Sequence, residues 1–171
     1  MIRRFALLTL LALLVAAQPL AAAKVRSGHD TGFDFDAVHT YRWKAEKGPA
    51  GDDLDRRIRL EADEVLSKKG LKRVGADEAA DVLLVYSVGT EDMLVAGRTA
   101  EIGWFGDIWV IGAARSRMSG GILIEMQRPE DGKAVWGATW VQTGNNPDTL
   151  MLLVKDAEKA VKKALAKYPP K

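Results

Sequence analysis

Two histidines, His29 and His39, bracket three acids, Asp30, Asp34 and Asp36. Imidazole and carboxylate together form a ligand set for divalent metals. The spacing here does not match a calcium loop, which needs acids or amides at alternate positions followed by glycine. His29 also falls near the expected start of the mature chain, where order is commonly poor. These residues read as turn acids beside a strand, and no metal site is assigned. Glu61, Asp63 and Glu64 are the next candidates. Acid–base catalysis needs two carboxyl groups in different environments around one pocket. These three lie among Arg57, Arg59 and Lys68, the pattern of a solvated, salt-bridged helix face. Ser87, Ser116 and Ser119 lack the G-x-S-x-G setting of a hydrolase nucleophile. Glu46 to Gly51 is not a phosphate loop, and no G-x-G-x-x-G occurs. The absence of cysteine removes thiol catalysis and cysteine-based metal sites. The chain therefore reads as non-enzymatic, with no catalytic residue, cofactor or metal expected.

One stretch stands outside this account. Gly97 to Gly121 is rich in glycine and carries Trp104, Phe105, Trp109, Arg115 and Arg117. Exposed aromatics and arginines anchor binding surfaces, so Trp104, Phe105, Trp109 and Arg115 form the candidate partner contact. The competing reading folds the same aromatics over an open sheet face, since large rings are commonly buried. Ile102 to Gly106 resembles a loop, and Asp107 to Ile111 a short strand.

The elements that must position such a surface follow from periodicity. Leu54, Ile58, Ala62, Val65 and Leu66 recur at helical spacing and predict a helix from about Asp53 to Lys69. Arg56, Arg59, Asp63 and Lys68 fall largely off that face. Asp52 or Asp53 is placed to cap its start, and Gly70 to end it in a left-handed conformation. A second helix is expected from about Pro147 to Tyr168, capped at Asn146. Its apolar stripe includes Leu150, Leu153, Val154, Ala157, Val161, Ala164, Leu165 and Tyr168. Lys155, Lys159, Lys162, Lys163 and Lys167 crowd the other side.

Strands are expected at His39–Trp43, Val82–Val88, Ile122–Met126 and Ala134–Val141, with Val25–Asp30 and Leu71–Val74 as further short ones. Val82–Val88 is nearly all apolar, as in a strand covered on both faces or central in its sheet. Arg128 to Gly132 reads as a hairpin turn. Trp136, Ala138 and Trp140 share one face by the period of two. Two amphipathic helices and one sheet predict an α+β fold: a two-layer sandwich with a mostly antiparallel or mixed sheet and both helices on one face.

The N-terminus specifies an address. Arg3 and Arg4 precede an apolar run, Phe5 to Ala17, then Gln18-Pro19 and the small residues Ala21 to Ala23. This is the layout of a secretory signal cleaved before Lys24. A membrane span needs about 20 apolar residues, more than this run supplies, so no anchor is expected after cleavage. With no cysteine there is no lipobox. The expected division is residues 1–23 as signal and 24–171 as one domain, working in the periplasm. The whole chain has 25 Lys+Arg against 23 Asp+Glu. The signal holds two of those arginines and no acid, so the mature part is formally neutral. That, and the lack of a basic stripe with interleaved aromatics, excludes a nucleic-acid partner.

Several blocks together resemble the bacterial envelope family known as domain of unknown function 4136. They are FDFDAVHTYRW (Phe33 to Trp43), VLSKKGLKRV (Val65 to Val74), ADVLLVYSVGTED (Ala80 to Asp92), GGILIEMQRPEDGKAVWGAT (Gly120 to Thr139) and KALAKYPP (Lys163 to Pro170). The Val135-Trp136 pair followed by a helix ending in Lys-Tyr-Pro-Pro is the most specific combination. The resemblance implies an envelope location. Many members look like lipoproteins held by a cysteine after the signal; this chain has none, so a soluble periplasmic form is expected. The functional expectation is a non-catalytic binding or interaction protein whose partner is an unknown envelope protein. The alternative is a carrier of a small apolar ligand or lipid, with its pocket between the sheet and the C-terminal helix.

Overall fold

The computed structural model describes residues 23–46, 48, 50–90, 119–143 and 149–170. In chain order these form β1 (Ala23–His29), β2 (Thr40–Trp43), α1 (Asp52–Lys68), β3 (Lys72–Arg73), β4 (Val82–Thr90), β5 (Ser119–Gln127), β6 (Ala134–Thr143) and α2 (Thr149–Leu165). The six described strands make one sheet in the order β1-β6-β5-β4-β2-β3. The pairs β1/β6, β6/β5 and β5/β4 are antiparallel, whereas β4/β2 and β2/β3 are parallel. The sheet is therefore mixed, and β4 is interior to it, as its apolar run requires. Lys24, the expected first residue of the mature chain, lies within β1 opposite Val141.

Register decides which residues meet. Ile124 stands opposite Tyr86 on one side and Ala138 on the other, while Ile122 faces Trp140 and Met126 faces Trp136. These residues share one face of the sheet because side chains alternate. They join Ile58, Ala62 and Leu66 of α1, and Ala157, Ala160, Val161, Ala164 and Leu165 of α2, in a single core. The two helices also touch each other. The result is the expected α+β sandwich, with both helices on the same face. On the other face Leu83, Leu123, Glu125, Thr139 and Val141 are buried as well, so its centre is also shielded from solvent. Among the described residues no helix is long and apolar enough to cross a membrane.

Local details confirm some boundaries and correct others. Gly70 adopts φ +88°, where a side chain would be strained. Its N–H donates to Ser67 O, and Leu71 N–H reaches Leu66 O, each at 3.0 Å. This double closure satisfies carbonyls that the helix end leaves open. At the other end of α1 the cap is Gly51, with no side-chain cap hydrogen bond. Asp52 and Asp53, expected as caps, instead lie inside the first turn with Asp55, where their charge favours the positive end of the helix dipole. In the β5–β6 hairpin Arg128 N–H donates to Lys133 O at 2.8 Å, and Gly132 takes φ +69°. The segment containing Trp104, Phe105, Trp109 and Arg115, with the strand expected at 107–111 and the cap expected at Asn146, lies outside the described residues.

Candidate functional site

The sequence motifs converge at two corners of the domain. At one, rings from three distant blocks meet. Phe35 packs edge-on against Tyr168 at 6.0 Å between centroids, and Trp136 does so at 5.5 Å. Phe33 and His29 also pack edge-on against Phe35. Edge-to-face pairs of this kind add to the area that the rings bury. His29 is thus an aromatic packing partner. Asp30 Oδ1 accepts from Gly32 N–H at 2.9 Å and Asp34 Oδ1 from Asp36 N–H at 3.0 Å, turn contacts that these side chains commonly make. His39 is exposed. Its N–H donates to Asp81 Oδ2, which also accepts from Thr40 N–H and Oγ1–H, both at 2.7 Å. The Thr40 hydroxyl and the His39 and Thr40 amides outweigh desolvation and hold the Asp81 carboxyl below its ordinary value. Asp81 thereby ties the start of β4 to the start of β2.

The other corner is polar. The i, i+4 spacing of Asp55, Arg59 and Asp63 lines them along one edge of α1, which the fold turns toward β2 and β4. Asp63 Oδ1 accepts from the Tyr41 hydroxyl at 2.7 Å and from Trp43 Nε1–H at 3.1 Å. Its Oδ2 accepts from Arg73 at 2.8 Å. Two turns earlier, Asp55 Oδ1 accepts from the Tyr86 hydroxyl at 2.6 Å, Arg59 Nε–H at 2.8 Å and Gly48 N–H at 3.1 Å. A Cβ on Gly48 would collide with both the Tyr86 hydroxyl and Asp55 Oδ1, so only glycine lets the backbone approach this closely. Arg59 also donates to Ala45 O at 3.1 Å, and its guanidinium lies 4.5 Å over the Trp43 ring.

Electrostatics show what these groups can do. Burial would raise the Asp55 carboxyl, but hydrogen bonds from Tyr86 and Arg59, the Arg59 charge and the Gly48 amide together hold it below its ordinary 3.8. Burial, then a hydrogen-bonded carboxylate, push the Tyr41 and Tyr86 phenols far above their ordinary 10.0. Both tyrosines are therefore fixed hydrogen-bond donors at neutral pH. Glu61, expected on a solvated face, is buried, with Lys162 Nζ 3.3 Å from Oε1. Glu64 is exposed and paired with Lys68. The two carboxylates thus occupy unlike environments without facing one pocket. Among the described residues no group of three or more His, Asp or Glu is placed to hold a metal ion.

A cleft of about 460 Å³ opens beside this polar corner. It lies at the end of the short β2–β3 pairing, whose last bond runs from Val74 N–H to Tyr41 O at 2.9 Å. Arg42, Lys44, Arg59 and Arg73 line it, with Trp43 between them and Glu46 as the one acid among the described lining residues. A second cleft of about 460 Å³ adjoins it around Asp63, Ser67 and Lys72. The sequence reading missed Arg59 and Arg73 as the partners of Asp55 and Asp63. The available signal was the Asp55–Arg59–Asp63 stripe.

The fold has known counterparts. A crystal structure of a DUF4136 family protein from Bacteroides thetaiotaomicron is 17% identical, with a TM-score of 0.57, covering 86% of this chain and 96% of that one. A PDZ domain protein from Parabacteroides distasonis is 14% identical, with a TM-score of 0.56, covering 94% of this chain but 39% of that one. A PelC dodecamer from Paraburkholderia phytofirmans is 13% identical, with a TM-score of 0.48, covering 85% and 96%. At these identities the likeness is one of fold. No curated protein is similar enough in sequence to count as a relative. The family model for the domain of unknown function DUF4136 matches residues 25–170, so the chain belongs to that family.

Proposed function

We propose that this chain is an exported, non-catalytic binding or interaction protein of the cell envelope, working in the periplasm after removal of residues 1–23. The observation that carries the reading is the open cleft at the end of β2, bordered by the Trp43 indole and by Arg59 and Arg73. The carboxylates behind it, Asp55 and Asp63, are occupied by phenols and guanidiniums. A corner built this way presents fixed guanidiniums and an indole to a partner. Family membership and the signal-like N-terminus support the envelope location. Trp104, Phe105, Trp109 and Arg115 are proposed as a second contact region. The described half of α2 packs directly into the core through Ala157, Val161 and Leu165, which favours a surface contact over an apolar carrier pocket beneath that helix.

Two measurements test this. N-terminal sequencing of the exported protein should begin at Lys24; retention of residues 1–23 in a membrane fraction would overturn the soluble form. Crosslinking followed by affinity purification from the native envelope should recover a stable partner. Recovery of the protein alone would remove the interaction reading.

A further inference from the structure

We infer that the outward face of α2, which carries Lys155, Lys159 and Lys163 and is followed by Lys167, is a docking surface for an anionic lipid bilayer. This inference rests on the envelope reading and names the partner that the protein meets there.

The three lysines of α2 recur at i, i+4 spacing. A helix rises about 1.5 Å and turns about 100° per residue. Successive lysines therefore stand about 6 Å apart along the axis and about 40° apart around it, on one side of the helix. All four lysines are exposed. The neighbouring Glu158 and Lys162 are engaged between the helices, with Arg57 and Glu61, each at 3.3 Å. Lys155, Lys159, Lys163 and Lys167 have no hydrogen-bond or ion-pair partner among the described residues. Asp156, the other acid of α2, is half-buried and forms no ion pair with them. Like charges at this spacing destabilise a helix. The helix dipole favours cations in the last turn, which accounts for Lys163 but not for Lys155 and Lys159 in the middle of α2. Residues 155–171 hold six lysines and two acids, in a chain nearly balanced at 25 basic against 23 acidic residues. Positive charge is thus segregated onto one face, against the preference of the helix.

The composition of the face selects the partner. Protein interfaces draw their binding energy from Trp, Tyr and Arg and are poor in Lys. The exposed described residues from Lys155 to Lys167 are lysines, Glu158 and Ala166, with no aromatic and no arginine among them. An ammonium group is a compact point charge on a flexible stem. It suits a diffuse layer of lipid phosphates better than one fixed carboxylate. The apolar side of α2, with Ala157, Val161, Ala164 and Leu165, is committed to the core, so these residues are not free to enter hydrocarbon. Docking through this face is therefore electrostatic, reversible and weakened by salt. Each lysine close to an anionic leaflet strengthens binding about fivefold, so the stripe acts as a set.

The test is sedimentation of the purified exported protein with sucrose-loaded vesicles. One set is phosphatidylcholine alone; the other is equal parts phosphatidylcholine and phosphatidylglycerol. Both are used in low and in high salt. The expected result is cosedimentation with the phosphatidylglycerol vesicles in low salt, and with neither set in high salt. Lys159→Gln should weaken partitioning several-fold, and the triple variant Lys155→Gln/Lys159→Gln/Lys163→Gln at least tenfold. Lys133→Gln, which removes an exposed charge from the β5–β6 turn, should leave it unchanged. Neutral glutamines relieve like-charge repulsion, so the α2 variants should melt no lower than the parent, which circular dichroism would verify. A lower melting temperature would assign these lysines to the fold instead. Equal binding to phosphatidylcholine alone, no binding to the anionic vesicles in low salt, or equal weakening by Lys133→Gln would overturn the inference. If the vesicles fail while crosslinking still recovers an envelope protein, the lipid surface falls and the binding-protein reading stands.

Discussion

The two corners of this domain are built from opposite materials. The corner around Phe35, Trp136 and Tyr168 is apolar and held by rings packed edge to face. The corner around Asp55 and Asp63 is equally ordered but held by charge-assisted hydrogen bonds to phenols, an indole and two arginines. The first depends on excluding water from its rings. The second spends its carboxylates on fixing cations, and those cations line an open cleft. The two corners are thus held by different forces, so substitutions at one should leave the other largely intact.

The largest effect should come from the apolar corner. Trp136 is 1% exposed, and Trp136→Ala should destabilise the fold by about 3–5 kcal/mol through lost transfer energy and a cavity. Denaturant unfolding would read this directly; a loss below 1 kcal/mol would show that this corner is not a keystone.

Asp63→Ala should cost less, about 1–3 kcal/mol, because it orphans the Tyr41 hydroxyl, on a side chain buried in the core. Adding Tyr41→Phe should recover part of that loss, since removing both partners leaves no unsatisfied phenol. If the double variant is as unstable as the sum of the singles, the bond is not the source of the effect.

An alkaline titration comes next. All three tyrosines are pushed upward, Tyr41 and Tyr86 as described and Tyr168 to about 12, by burial and then the charge of Asp36. A phenol whose folded value is raised contributes stability that is complete below its unfolded value and is lost as pH climbs toward the folded one. Absorbance at 295 nm should therefore show no tyrosinate step near pH 10 while the protein is folded. Above pH 10 stability should decline, and ionisation should appear together with unfolding. A reversible step at pH 10 in folded protein would contradict the burial of these rings.

The smallest effect belongs to neither corner. Glu64 and Lys68 form an exposed pair one turn apart, and solvent-exposed pairs of this type are weak. Glu64→Gln should leave the melting temperature unchanged; a clear drop would mean that this face is packed against something.

Much of the fold was legible before any coordinates. Leu54, Ile58, Ala62 and Leu66 mark a helix because their spacing matches its turn. Trp136, Ala138 and Trp140 mark one strand face because side chains alternate. Gly70 marks a stop because left-handed backbone suits it. The family blocks were legible too, from motifs that have since been seen to meet in space. Errors came where a side chain's role depends on what lies across from it. Asp52 and Asp53 have the right chemistry for a cap, yet Gly51 occupies that position. Glu61 looks solvated by composition and is buried because α2 lies over it and brings Lys162 to its carboxylate.

The sequence by itself determined most of the described elements and the absence of cysteine, since these follow from local periodicity and counting. Only the tertiary structure decided the cleft. Arg59 and Arg73 sit on a helix and a strand, and neither is unusual in its own neighbourhood. They reach Asp55, Asp63 and the Trp43 ring because β2 and β3 are parallel and α1 connects them. Convergence of that kind depends on the register and length of distant partners, and no local pattern in the chain encodes it.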